Sequence, residues 1–323
     1  LNKKMQAQYY WKSVLNFEDT DESMKKKINI KLLKGPKKIW LMKFAKIKSY
    51  AKINISLNVI RKLPSNFHQI ESLFTFINLY DLIYIKRINA QNHYVQFEGK
   101  YSKNIFKNNT VNNLLKILDK NNFLKGNKFH IKIIKNIPQK SGMGGGSMNA
   151  ANILKFFLKK KFLKINKNKV KKIANLIGSD VILGLDMKNK ILSANGNLKK
   201  FKKKLRLHIL VVKPNFGCSS KFIYSKIKSF SKASYNNPKI SLFNKLNIIH
   251  SNNDLEKVVF KKYPRLKSLK IYLLKTKNIL FARMTGSGSS IVAYFLSKNA
   301  AENAATVFKR KYKNYWCIVS KTV

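Results

Sequence analysis

Pro138-Gln139-Lys140-Ser141-Gly142-Met143-Gly144-Gly145-Gly146-Ser147-Met148-Asn149-Ala150-Ala151 is the stretch on which the reading of this chain turns. The alternating run before it, Lys128 to Ile137 (KFHIKIIKNI), predicts a half-buried strand. The apolar pattern after it, from Ala150 to Leu158, predicts a helix. A strand enters, four glycines turn the chain, and a helix leaves. Glycine lets backbone N–H groups approach an anion with no Cβ in the way. A helix N-terminus adds unsatisfied donors and about half a positive charge. Such a turn suits phosphate. It is neither G-x-x-x-x-G-K-[ST] nor G-x-G-x-x-G. The plain alternative is a flexible turn, but three consecutive glycines opening a helix cost roughly 1 kcal/mol each against alanine. A compensating use is expected.

Outward from this loop, composition narrows the classes. The chain has 323 residues, 45% hydrophobic and 12% aromatic, enough for one large domain or two moderate ones. Cys218 and Cys317 form no disulfide framework or CxxC pair, and the five histidines show no metal-site spacing. A reducing, intracellular setting follows as the default, cytoplasmic in an A+T-rich bacterium, with a plastid-type organelle as the alternative. No apolar run approaches the ~20 residues of a membrane helix. The net charge of +54, from 67 Lys and Arg against 13 Asp and Glu, raises the possibility of a nucleic-acid partner. Only six of those cations are arginine, the residue that base and phosphate recognition favours, and lysine is spread along the whole chain. Lys, Asn, Ile and Phe are all abundant, as A+T-rich coding would produce. Compositional drift explains the charge better than selected nucleic-acid binding, so no specific nucleic acid is expected.

Other segments fall into place along the chain. Phe44–Lys48 and Ala51–Leu57 alternate as a strand pair, carrying Tyr50-Ala51-Lys52-Ile53-Asn54. Asn66-Phe67-His68-Gln69-Ile70-Glu71-Ser72 precedes a strand from Phe74 to Ile85. Strands are expected at Tyr94–Phe97 and Leu207–Pro214, and helices at Asn109–Leu118, Lys167–Ile177 and from Ser219. Gly178-Ser179-Asp180-Val181 ends a helix, where an aspartate most often acts as an N-cap. Helical patterns follow at Ile240–Ile248, Asp254–Phe260 and Pro264–Leu274. Met284-Thr285-Gly286-Ser287-Gly288-Ser289-Ser290 joins strands Ile279–Arg283 and Ile291–Leu296, for which a glycine hairpin is the plain reading. Ala300–Tyr312 is a helix and Trp316–Val319 a closing edge strand.

The loop P-x-x-x-G-M-G-G-G-S-x-N-A-A resembles the second motif of the GHMP small-molecule kinases. Its triple glycine followed by Ser-x-Asn-Ala-Ala is similar to the branch acting on 4-diphosphocytidyl-2-C-methyl-D-erythritol. Tyr50–Asn54 resembles that branch's P-A-K-[IL]-N, Asn66–Phe74 its D-G-Y-H segment, Gly178–Val181 its G-[AS]-D-[VI]-P, and Met284–Ser290 its third motif. Departures stand at Tyr50, Ser65, Asn66, Phe67, Gln139, Lys140, Ser141, Met148 and Ile182. The resemblance covers Ala45 to Val319. It implies an α+β, two-domain GHMP fold, the first half like ribosomal S5 domain 2 and the second ferredoxin-like.

By the same resemblance, residues 1–41 are an extension, 42–197 the ATP-binding domain and 198–323 the C-terminal domain, joined near Asn195–Lys200. The extension reads either as translation upstream of a start at Met42 or as an import remnant. The implied reaction passes a phosphoryl group from ATP, with Mg²⁺, to the 2-hydroxyl of the substrate, on the non-mevalonate route to isoprenoids. Lys52 and Asp180 would be catalytic. Pro138, Gln139, Lys140, Ser141, Gly142, Met143, Gly144, Gly145, Gly146, Ser147 and Asn149, with Thr285, Gly286, Ser287 and Gly288, would hold ATP. Asn54, Phe67, His68 and Tyr224 would hold substrate, His68 contacting the cytosine and the two rings stacking. No metal ligand is assigned. Two alternatives remain: a basic nucleic-acid binder on a degenerate GHMP scaffold, or a GHMP kinase of the homoserine or mevalonate type.

Overall fold

The computed structural model describes residues 21–25, 44–65, 67–202 and 205–323. The chain divides into two compact units, residues 1–44 and Ala45–Val323. In the first, residues 22–25 are helical. The rest of the expected extension and Met42 lie outside the described residues, as does Asn66.

The second unit contains two sheets. In the first, β1 (Ala45–Lys62) and β2 (His68–Ile88) form one long antiparallel hairpin, from Ala45 opposite Ile85 to Lys62 opposite His68. The strand pair expected around Phe44–Leu57 is therefore one strand. A register shift between Tyr50 and Ala51 lets it bend and continue. Along the other edge of β2 lie β4 (Lys128–Ile134), beside residues 82–88, and β5 (Asn189–Leu192), beside residues 72–74. Beyond them, β3 (Tyr94–Glu98) pairs with β4 and β6 (Leu198–Phe201) with β5. The stretch Asn195–Lys200, expected to be a connection, is instead the turn and second strand of the β5–β6 hairpin. Ser193 N–H closes it on the Asn197 carbonyl at 3.0 Å. Its polar, glycine-containing composition marks a turn as readily as a linker.

Helices α1 (Thr110–Lys120), α2 (Gly145–Lys159) and α3 (Lys167–Ile177) cover one face of this sheet, burying Ile83, Ile131 and Ile133 under Leu114, Leu154 and Ile173. Helix α2 starts at Gly145, five residues earlier than the apolar pattern indicated, because the glycines themselves form its first turn. A one-turn helix, α4 (Val181–Gly184), follows α3.

The second sheet has the order β10-β7-β9-β8, with β7 (His208–Lys213), β8 (Ile279–Met284), β9 (Ile291–Phe295) and β10 (Trp316–Lys321) all antiparallel. Four short helices separate β7 from β8: α5 (Ser220–Ser225), α6 (Lys245–His250), α7 (Leu255–Lys262) and α8 (Pro264–Leu274). Helix α9 (Lys298–Lys311) joins β9 to β10. In chain order the sheet reads fourth, first, third, second strand, the ferredoxin-like arrangement expected. Alternation along β7 splits its side chains between two cores. Leu210 and Val212 pack under Leu255, Leu266 and Phe308 of the helices. Ile209 and Val211 pack against Ala51, Ile53 and Ile55 of β1.

One polar pair interrupts these cores. Asp81 is fully buried on β2, in the inward series Leu79, Ile83, Ile85. Its Oδ1 accepts N–H bonds from Asn136 (2.8 Å) and Ile137 (2.9 Å), and its Oδ2 accepts from Lys135 Nζ and from Asn149 Nδ2 (2.9 Å). Asp81→Asn would turn an amide group toward the Lys135 ammonium and Asn149 Nδ2, leaving a buried cation uncompensated. Denaturant unfolding is expected to register a loss of roughly 3–5 kcal/mol, against which an unchanged midpoint would count decisively.

Candidate active site

Since Ala51, Ile53 and Ile55 enter the core between the sheets, Lys52 and Asn54 must point to the opposite face of β1. That face meets the glycine loop. Lys52 N–H donates to the Met143 carbonyl (3.1 Å), fixing strand to loop. Lys52 is 4% exposed, and its ammonium is engaged. It donates to Asn54 Oδ1 (2.8 Å), lies 3.1 Å from Asp180 Oδ2 and sits 5.3 Å from the Phe74 ring centroid. Asn54 Nδ2 donates to Ser72 Oγ (2.8 Å), which fixes the orientation of the amide.

Asp180 precedes α4 and makes no capping bond, so the plain reading of this aspartate as an N-cap does not hold. Its carboxylate remains 34% exposed and opens on a cleft of about 1160 Å³. Nine of the chain's 13 acidic residues lie within Ala45–Val323. Among these described residues, Asp180 is the one carboxylate lining the cleft.

Helix α2 opens on the same cleft. Its N-cap is Gly144, left-handed at φ 66° and without a side-chain capping bond. The first-turn N–H groups therefore take no bond from the N-cap residue's side chain. Gly145, Gly146 and Ser147 line the cleft. Gly142, at φ 74°, is required for a second reason: a Cβ there would stand 2.0 Å from the Thr285 carbonyl oxygen. The β8–β9 turn backs the loop at this point. Thr285 Oγ1 accepts from Asn54 N–H (3.0 Å) and donates to the Gly142 carbonyl (3.3 Å). Ser289 and Ser290 N–H donate to the Lys140 and Ser141 carbonyls, both at 3.4 Å. Thr285 is thus a buried latch between motifs, while Gly286, Ser287 and Gly288 face the cleft.

Several residues expected at ATP point elsewhere with their side chains. Met143 is buried between the sheets. Gln139 Nε2 donates to the Tyr101 (2.9 Å) and Lys103 (2.7 Å) carbonyls, tying the loop to the segment before α1. Asn149 holds Asp81. Pro138, Lys140 and Ser141 line the cleft, Lys140 at φ 48°. At the other end, Tyr224 on α5 lines the cleft and is partly buried. Burial, then the nearby Asp180 carboxylate, push its phenol up. The His68 ring, at the start of β2, lies 5.3 Å from that of Tyr224. Burial, helped by Lys62, holds His68 below the usual histidine range. At neutral pH it is then a neutral ring with one donor and one acceptor. Phe67 stands exposed beside it at the hairpin tip.

Sequence reasoning missed Lys135, which lines the cleft beneath the glycine loop with Nζ 3.4 Å from where a Gly145 Cβ would stand. A signal existed. Lys135 continues the inward series Ile131, Ile133, Ile137, where a lysine is out of place. Phe106, exposed on the rim, carried no such signal.

With this geometry in hand, two family models match: "GHMP kinases N terminal domain" over residues 108–187 and "GHMP kinases C terminal" over residues 233–314. A 4-diphosphocytidyl-2-C-methyl-D-erythritol kinase of Pelagibacter ubique is 57% identical over 278 residues, 86% of this chain and 99% of that protein. One from Clostridium perfringens is 31% identical, over 86% and 98%. Among solved structures, a 4-(cytidine 5'-diphospho)-2C-methyl-D-erythritol kinase superposes with a TM-score of 0.71 at 20% identity, covering 86% of this chain and 99% of its own. A homoserine kinase from Cytophaga hutchinsonii reaches 0.63 at 14% identity, over 88% and 95%. These likenesses are of fold.

The contact of Gly142 with Thr285 is testable against an internal control. Gly196 has a comparable φ of 81° but open space around it. Alanine at Gly196 should show only backbone strain, about 1–3 kcal/mol. Gly142→Ala should lose clearly more in chemical denaturation and weaken ATP binding as well. Equal losses at the two positions would mean the two loops are not in register.

Proposed function

The chain belongs to the 4-diphosphocytidyl-2-C-methyl-D-erythritol kinases of the GHMP kinase family, and on that premise we propose how its cleft works. The enzyme transfers a phosphoryl group from ATP to the 2-hydroxyl of 4-diphosphocytidyl-2-C-methyl-D-erythritol, a step toward isoprenoid precursors. The observation that carries the assignment of roles is Asp180: one uncapped carboxylate, lining the cleft, 3.1 Å from a buried lysine.

Phosphoryl transfer asks a protein for position and charge more than for covalent chemistry. The N–H groups opening α2 and the turn Gly286–Gly288 hold the ATP phosphates. Asp180 accepts the proton of the substrate hydroxyl. Lys52, clamped by Asn54, keeps the carboxylate in place and offsets charge growing on the transferred group. Asn54 borders the reacting hydroxyl. Tyr224 and Phe67 stack on the cytosine, and His68 offers its edge a donor and an acceptor.

Among the described residues no group of three or more His, Cys, Asp or Glu could hold a metal. Mg²⁺ commonly binds through one or two carboxylates with substrate phosphates, so the cleft suits a Mg²⁺ carried by ATP, which would neutralise phosphate charge; we assign it no residue. The bacterial sources of the relatives support a cytoplasmic setting.

Turnover of Asp180→Asn should fall by roughly 10²–10⁴, with ATP affinity held within a few fold. Lys52→Met should lose far more activity than Lys46→Met or Lys48→Met, whose ammonium groups lie over Tyr84 and Tyr80. Steady-state kinetics with the cytidine substrate decides both. Near wild-type turnover in Asp180→Asn, or equal turnover of homoserine or mevalonate by the wild type, would remove the assignment.

A further inference from the structure

Between α5 and the 3₁₀ turn Ile240–Phe243, residues 227–235 have no regular structure, yet they are firmly attached. Ser231 N–H donates to the Val59 carbonyl (2.8 Å) and its hydroxyl to Asp254 Oδ2 (2.7 Å), which also accepts from Val59 N–H (2.7 Å). Three residues on, the buried Glu71 carboxylate accepts from the N–H groups of Ser234 and Tyr235, both at 2.8 Å. Tyr235 Oη meets Ser56 Oγ at 3.0 Å. In a chain with 13 acidic residues, two carboxylates pin this one strap to the β1–β2 hairpin.

Immediately before the first anchor stands Phe230, 47% exposed. Its ring lies 6.5 Å from that of His68, at 29°, within the range of favourable ring pairs. His68 therefore contacts two rings, Tyr224 on the cleft wall and Phe230 on the strap. No other described feature accounts for a phenylalanine held half in water beside this histidine.

We propose that Phe230 is a positioning residue for substrate selection: through ring contact it fixes the plane of His68, and so the donor and acceptor that His68 presents to the pyrimidine edge. This rests on the reading of His68 as the base reader. Stacking tolerates any base, so discrimination between cytidine and uridine depends on where those two nitrogens point. An imidazole at a hairpin tip, with one ring contact removed, rotates more freely and selects less well.

The test is steady-state kinetics on the cytidine substrate and its uridine analogue, with wild type, Phe230→Ala and Phe230→Tyr. Phe230→Ala should reduce the cytidine-over-uridine ratio of kcat/KM about five- to tenfold, the equivalent of one lost ring pair. The loss should appear in KM for the cytidine substrate, with kcat and the KM for ATP unchanged, and Phe230→Tyr should restore it. An unchanged ratio in Phe230→Ala overturns the proposal while leaving the kinase reading intact. So does a loss that falls equally on both substrates and raises the KM for ATP, which marks a general structural role. A wild type that already treats both bases alike overturns the base-reading role of His68, and the proposal with it.

Discussion

A single buried carboxylate, Asp81, ties together the two supports of the glycine loop. Asp81 has lost all contact with water, and such a charge is costly unless every lone pair is used. Here all are: two backbone N–H groups at the end of β4, the Lys135 ammonium, and the Asn149 amide on α2. Strand β4 and helix α2 are the two supports of the glycine loop, so one group on β2 fixes both ends of the turn. The middle is fixed from outside, by β1 through Met143 and by the β8–β9 turn through Gly142, Lys140 and Ser141. The loop is rich in glycine yet not loose. Gly142 in particular lies too close to the Thr285 carbonyl for any Cβ.

Local signals decided which parts of the fold could be read beforehand. Helix α3 and helix α8 lie where their patterns placed them, because amphipathic spacing and a Pro264 start are local signals. The ferredoxin-like second half was implied by the resemblance, and the strand–helix–strand ending from Ile279 to Val319 agrees with it. The β5–β6 hairpin was not legible, since four-residue strands with lysine-rich faces carry no period that composition does not blur. The single long β1 was missed because its bulge at Tyr50 and Ala51 resets the alternation at the place where a turn would.

Within the site, legibility followed chemistry. Lys52, Asp180 and the glycines stand in motifs whose spacing survives any composition, and they do come together. Lys135 was hidden among dozens of lysines, although an inward lysine just after β4 and an inward aspartate on β2 are each anomalous, and their being partners resolves both. Met143, Gln139 and Asn149 sit in the loop motif, but sequence adjacency to phosphate does not say which way a side chain points. Their roles are to anchor the loop, a matter of tertiary contact with the core, Tyr101, Lys103 and Asp81.

The helix starts reveal how the cleft stays open for a ligand. Helices α1, α3, α5, α6 and α9 begin at Asn109, Asn166, Ser219, Asn244 and Ser297, each of whose side chains accepts a first-turn N–H. Replacing such a cap typically costs about 0.5–2 kcal/mol, so this sequence readily uses the stabilisation. Four other starts make no such bond: Gly144 before α2 has no side chain to offer, Asp180 and Asp254 do not turn theirs to α4 and α7, and Tyr263 precedes the Pro264 start of α8. Of these four, the starts of α2 and α4 face the cleft. At α2 the uncapped N–H groups lie open to a phosphate. At Asp180, Oδ2 pairs with the Lys52 ammonium at 3.1 Å, and the carboxylate, 34% exposed to the cleft, takes no N–H of α4. On the proposed reading, these are the two positions at which phosphoryl transfer needs a donor for phosphate and an acceptor for a proton.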